Sequence, residues 1–353
     1  MSTKLARGGF WNSLKEDVTR MRQMRFAFGV TFSCALAYGV DWPLSFLLPI
    51  FSCVLLALPL PKPSVKASLQ NMLNTLKAFA LGLLFSIFFL QYPSAYILAL
   101  GLVLFHIYYY LNRGGSFWLT LMSLIAVLIL PMIAQANTGL AFGFAAGFIY
   151  SSWLTIAIIW LVHFVFPDPK FTAFPTPPGF QKKYVPNAAQ AALKSALVTL
   201  PVATIFITFG LIDYLLVMVF SAMFILKPEL SAGLGAGKNS MISTLLGGAY
   251  AAVFYWLMVA VPQYHFFLLL LLATTLFFAR NIFSTKSTAK YYSSALIAML
   301  VVFNSSMAAG ASFNDILFNR IILISMAIAY IVIMLNVLEH FGIGNAKAEV
   351  KAT

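Results

Sequence analysis

Arg320 and Lys77 are cations set inside long apolar runs, at 315–338 and 72–90. A guanidinium within such a run costs at least about 2.5 kcal/mol to insert into a membrane. It must meet a counter-charge, line a watery cavity or snorkel to the headgroups. Asp315, Asp41 and Asp213 are expected at the same membrane level as Arg320. An ion pair with one of them is one reading of Arg320, and a pathway for an anion is the other. Lys77 lies about six residues into its run, close enough to the nearer surface to snorkel. Its alternative role is to attract a carboxylate at the inner mouth. Together the two cations would put positive charge near both ends of an anion conduit.

A second candidate is a pair of interruptions. Pro131 falls in the apolar stretch LILPMIAQ, and 174 residues on from it stands VVFNSSMAAG, with Asn304, Ser305 and Ser306. Matching breaks in two repeats point to a midplane site, where freed backbone and small polar groups bind substrate. The plainer reading is a kink satisfied by neighbouring helices. Asp41, Asp213 and Glu229 are the carboxylates that could couple protons, although all three stand at run ends where water is close. His106 and His163 lie in or near runs. A histidine titrates near neutral pH and can relay protons, but a satisfied interfacial histidine is the simpler state.

The elements that must position these residues are membrane spans. The chain has 353 residues, 61% hydrophobic and 9% charged, with mean hydropathy +0.92. Soluble domains carry roughly 25% charged residues. Apolar runs occur at 26–40, 44–61, 72–90, 94–111, 117–136 and 139–166. They resume at 191–211, 214–226, 240–261, 265–279, 291–311 and 315–338. The predicted fold is an all-α polytopic membrane protein of about twelve transmembrane helices.

Basic residues recur at alternate breaks: the arm Lys4 to Arg25, Lys62 and Lys66, Arg113, Lys170 to Lys194, Lys227 and Lys238, Arg280 to Lys290, and Lys347 with Lys351. The breaks near Asp41, Tyr92, Asn137, Asp213, Gln263 and Phe313 have none. This is positive-inside patterning, which places both termini in the cytoplasm. It also absorbs the net charge of +13 without any nucleic acid. The expected layout is a basic cytoplasmic arm (1–25), a six-helix unit (26–166), a proline-rich cytoplasmic linker (167–190), a second six-helix unit (191–340) and a cytoplasmic tail (341–353).

The two units read as parallel repeats. Asp213 follows Asp41 by 172 residues, Pro228 follows Pro59 by 169, and Pro262 follows Pro93 by 169. Tyr291–Tyr292 follow Phe117–Trp118 by 174. An even number of spans per unit makes both enter the membrane the same way. Gly139, Gly143 and Gly147 recur at helical spacing, as for close helix packing. Cys34 and Cys53 lie in apolar runs and are expected reduced and packed. The stretch AGLGAGKNS (232–240) lacks the first glycine and the final Ser/Thr of a phosphate loop. With no Ser/His/Asp set and no metal cluster, neither an enzyme nor a metal or other cofactor is expected.

Four stretches carry a family likeness: MRQMRFAFGVTF (21–32), AALKSALVTL (191–200), FILKPELSAGLGAGKNSMISTLLGGAYA (224–251) and FNRIILISMAIAYIVIMLNVL (318–338). With the duplicated unit they resemble the fusaric-acid-resistance family of bacterial inner-membrane proteins, which includes the aromatic-acid exporters. Specifically, the chain looks like the compact members that lack large soluble domains. The resemblance implies efflux of aromatic or other small organic acids across the inner membrane, often with a periplasmic membrane-fusion adaptor. Plant organic-anion channels look like distant relatives, built from paired six-span units around a two-fold pore, which leaves room for a homo-oligomer. Three functions are therefore weighed: a secondary exporter driven by proton motive force, a passive organic-anion channel, and a non-transporting membrane scaffold. A major-facilitator exporter fits poorly, because the loop PLPKPSVKASLQN (59–71) lacks that family's Gly-Asp-Arg signature.

Overall fold

The computed structural model describes residues 3–58, 61–167, 179–308 and 313–340. Pro59, the linker stretch 168–178 and the tail 341–353 lie outside the described residues. The described chain is all-helical. Its helices are α1 (Thr3–Val40), α2 (Leu47–Ala57), α3 (Val65–Phe89), α4 (Pro93–Asn112), α5 (Phe117–Ala136) and α6 (Thr138–Val165). After the linker come α7 (Pro186–Phe209), a 3-10 turn (Ile212–Tyr214), α8 (Leu215–Phe224), α9 (Leu230–Ala260), α10 (Tyr264–Ile282), α11 (Ala289–Ala308) and α12 (Phe313–His340).

Eight of these, α3 to α7 with α9, α10 and α12, are long and apolar enough to cross a membrane. Their outer faces carry exposed Leu81, Phe88, Leu98, Phe164, Trp256 and Ile333. Apolar surface on this scale is stable against hydrocarbon and not against water. The protein is a polytopic membrane protein.

The bounds expected for two runs need correction. The runs 44–61 and 214–226 form short helices: α2 has 11 residues and α8 has 10. At 1.5 Å per residue each is about 15–16 Å long, half of a ~30 Å hydrocarbon core. The cause is local at both ends. Before α2, Asp41 and Leu44 take positive φ, 49° and 63°, so the chain turns there. Before α8 the chain spends three residues in the 3-10 turn. After α2, Pro59 disfavours a helical residue before it, and Leu58 is extended. After α8, Pro228 does the same to Lys227.

A second correction concerns the breaks at Pro131 and at Asn304–Ser306. Neither interrupts its helix: α5 runs through Pro131 to Ala136, and α11 runs through Asn304 to Ala308. One missing N–H is tolerated in a long apolar helix whose neighbours hold the backbone in place. Among the described residues, the short helices are α2 and α8. In addition, the basic arm is not separate from the first span, since α1 carries both as one helix of 38 residues.

The chain forms two compact units. One contains residues 1–69, 150–176 and 242–317, and the other 70–149, 177–241 and 318–353. In the first, α1 packs on α2 and α10, while α11 packs on α10 and α2. Its core includes Phe26, Val30, Leu48, Phe278, Leu296 and Val302. Cys34 and Cys53 are buried there as free thiols. The Ser33 hydroxyl donates to Ser52 at 2.7 Å, tying α1 to α2. In the second unit, α4 packs on α7 and α5, while α8 packs on α7 and α5. Leu100, Leu104, Tyr108, Ala203, Met218 and Ile324 are fully or nearly fully buried in its core.

The linker is extended where it is described, at 179–185, and it is pinned. The Gln181 N–H donates to the Arg113 carbonyl at 3.0 Å, and Arg113 Nε donates back to the Gln181 carbonyl at 2.7 Å. The close packing expected at Gly143 is absent: a Cβ there would meet nothing within 4 Å.

Candidate anion pathway

The second unit brings a half-buried cation to a short helix. The buried face of α12 is set by Leu323, Ile324, Ala327, Ile331, Leu335 and Leu338, spaced three or four residues apart. Arg320 lies three and four residues before the first two, so the helical period turns it onto the same stripe. Its Nε is buried and has no hydrogen-bond partner. Its guanidinium carbon sits 6.0 Å from the centre of the Phe220 ring on α8, at the outer limit of a cation–π contact.

The early end of α8 exposes carbonyls that a longer helix would have used. Side chains of α4 and α7 take them up. Tyr108 donates to the Ala222 carbonyl at 3.0 Å and lies 2.8 Å from the Thr199 hydroxyl. Ser195 donates to the Ile225 carbonyl at 2.8 Å. Ser195 and Thr199 are one turn apart, so a single face of α7 serves both contacts. The Ser221 hydroxyl, also buried on α8, has no partner. Tyr108→Phe should therefore destabilise the unit by about 1–3 kcal/mol, because a buried carbonyl loses its donor. Thermal unfolding in detergent measures this. An unchanged transition would mean that the contact does not hold α8.

The other candidates are placed as follows. Lys77 is exposed on α3, on the face that also carries Leu73, Leu81 and Leu84. Pro131 is buried in α5. These two, with His106, Asp213, Glu229 and Arg320, belong to the second unit. Asp213 is exposed in the 3-10 turn, and Glu229 is exposed at the start of α9. His106 is exposed, with Nδ1 2.8 Å from the Leu102 carbonyl.

Asp41, His163 and Asn304 to Ser306 belong to the first unit. Asp41 is exposed, and His163 is buried with Nδ1 2.8 Å from the Ile159 carbonyl. Asn304 accepts a hydrogen bond from Tyr38 at 3.1 Å. Ser306 returns its hydroxyl to the Val302 carbonyl at 2.8 Å, and Ser305 is half-buried. Pro131 and the Asn304–Ser306 stretch thus fall in different units. The first unit gives Asn304 a hydrogen-bond partner of its own.

Sequence reasoning passed over Tyr108, Ser195, Thr199 and Ser221. The i, i+4 spacing of Ser195 and Thr199 in an apolar run was the available signal. Pro201, inside α7 one turn after Tyr330's acceptor Val198, was another.

No curated protein and no solved structure matches this chain. Residues 22–162 match the model of a family described only as a protein of unknown function (DUF2955), which is what the first six helices are similar to.

Proposed function

We propose that the protein is a secondary exporter of small organic anions at the bacterial inner membrane, with aromatic carboxylic acids as its substrate class. Transport, not catalysis, is the activity. Proton motive force drives it, and a periplasmic adaptor carries the product onward. The observation that supports this reading most is Arg320: a cation on the buried stripe of α12, with a free donor, beside a helix that stops halfway. A half-buried charge whose Nε meets no acceptor among the described residues is costly, and function is the usual reason to keep one. Discontinuous helices are where transporters place their substrate sites.

We further infer two parallel six-helix repeats. The main contacts of one unit become those of the other when each helix is exchanged for the one six places along the chain. Under that exchange, α1 on α2 and α10 becomes α7 on α8 and α4; α11 on α10 and α2 becomes α5 on α4 and α8. Both short helices, α2 and α8, occupy the same place in this scheme. Ser52 and Ser221, both fully buried, are also 169 residues apart. The family match stops within α6, at the end of the first such unit. The alternating basic breaks put both termini in the cytoplasm.

Everted membrane vesicles test the function. Labelled benzoate should accumulate when a proton gradient is imposed, and a protonophore should abolish the accumulation. Uptake that follows membrane potential alone, with no need for a proton gradient, would replace the exporter with a passive channel. No uptake across a panel of aromatic acids would overturn transport.

A further inference from the structure

The second unit contains a cavity of about 570 Å³. That is within the range of sites that enclose a small organic ligand. Its floor is the C-terminal end of α8, with Met223 and Phe224. Its walls include Phe117 of α5 and Ala236 of α9. Arg113 and Lys227 supply two cations, and no acid lines it among the described residues. A side cavity of about 420 Å³ shares Asn112 and Lys227 and adds Lys194, with Glu229 as its one carboxylate.

Arg113 is held ready for a ligand. Its guanidinium carbon lies 5.0 Å from the centre of the Tyr109 ring and 4.9 Å from that of Phe180. Its Nε is fixed on the Gln181 carbonyl. Stacking of this kind orients a planar cation, so little is lost in ordering it when an anion arrives.

The cavity also connects to the half-buried cation. Phe224 in its floor stacks on Phe220, with ring centres 5.5 Å apart at 26°. Phe220 is the ring beneath Arg320. One face of α8 thus carries an aromatic step from the basic cavity towards Arg320.

We propose that this cavity is a binding site for a small carboxylate with an aromatic body, its charge held by Arg113 and Lys227 and its ring against Phe117 and Phe224. The assignment gives the transport reading its inner binding site and rests on that reading for its role, although the binding itself does not. An anionic lipid headgroup shares the charge but arrives with acyl chains, and the test separates the two.

Full-length protein in nanodiscs of phosphatidylcholine is titrated with labelled benzoate and, as the uncharged analogue, with benzamide. Benzoate should bind, and benzamide at least about tenfold more weakly, since only the former gains from the cations. Lys227→Gln should weaken benzoate roughly tenfold, as the loss of one close charge does. Arg113→Gln should do the same; because it also frees the strap at Gln181, Arg113→Lys serves as the charge-keeping control. Phosphatidylglycerol in the nanodisc should leave benzoate affinity unchanged.

Equal binding of benzamide, or wild-type affinity in both Lys227→Gln and Arg113→Gln, overturns the site. Displacement of benzoate by phosphatidylglycerol overturns it in favour of a headgroup. Lys227-dependent binding without vesicle uptake sinks the transport reading alone. Uptake with Lys227-independent binding sinks only the cavity.

Discussion

Replacing Arg320 with methionine should lower anion uptake into everted vesicles roughly ten- to hundredfold, the range set by loss of one hydrogen bond to a charged group. The same substitution should leave the thermal transition of the purified protein unchanged or higher. The two outcomes belong together. Nε of Arg320 is buried without a partner among the described residues, so it gives the fold no hydrogen bond there and bears part of the desolvation cost. Methionine keeps the length of the side chain and suits the stripe formed by Leu323, Ile324 and Ala327. A structural ion pair would behave in the opposite way, because an orphaned partner charge destabilises by about 3–5 kcal/mol. Lys77→Gln is the control. Lys77 is exposed on α3, and its loss should change uptake little. If Arg320→Met unfolds the protein, or transports like wild type, the anion role of Arg320 is wrong.

Gly247→Ala should destabilise the first unit by about 1–3 kcal/mol, the usual range for forced overpacking, or more. Gly247 is where α9 meets α11. A Cβ there would collide with the Ala295 carbonyl oxygen, and would lie 2.9 Å from the Ala298 Cβ and 3.0 Å from the Met299 nitrogen. Two of those atoms are backbone and cannot turn aside. Gly143→Ala is the matched comparison. It meets nothing within 4 Å, so it should gain roughly 0.5–1 kcal/mol from helix propensity. Denaturation in mixed micelles measures both. Equal stability of the two variants would show that α9 and α11 do not approach as closely as described.

The helix breaks divide into those set by local chemistry and those set by partners. Pro63 and Pro228 act on the residues just before them, and they mark the ends of the α2 and α8 regions from the sequence alone. That α2 and α8 are only half-length depends on the turns that precede them. Before α2, Asp41 and Leu44 adopt positive φ, a strained state that non-glycine residues rarely take. Asp tolerates this state locally, but Leu does not, so the turn at Leu44 is not announced by its residue type. Pro131 shows the converse. A local rule predicted a break, and the packed environment of α5 carries the helix through.

Several properties were legible in the chain itself. The all-helical class, the run 117–136 to the residue, and the buried side of α12 all follow from hydrophobicity and its 3.6-residue period, which are local. The burial of Cys34 and Cys53 was legible for the same reason. The tertiary structure decided which helices meet: α1 and α2 with α10 and α11, and α4 and α5 with α7 and α8. It also decided that Tyr38 satisfies Asn304, that the linker is strapped to Arg113, and that Arg320 lies over the Phe220 ring. Each of these joins residues far apart in sequence. Such pairings depend on which apolar faces fit against one another in three dimensions, and a one-dimensional pattern of apolar residues allows many fits equally well.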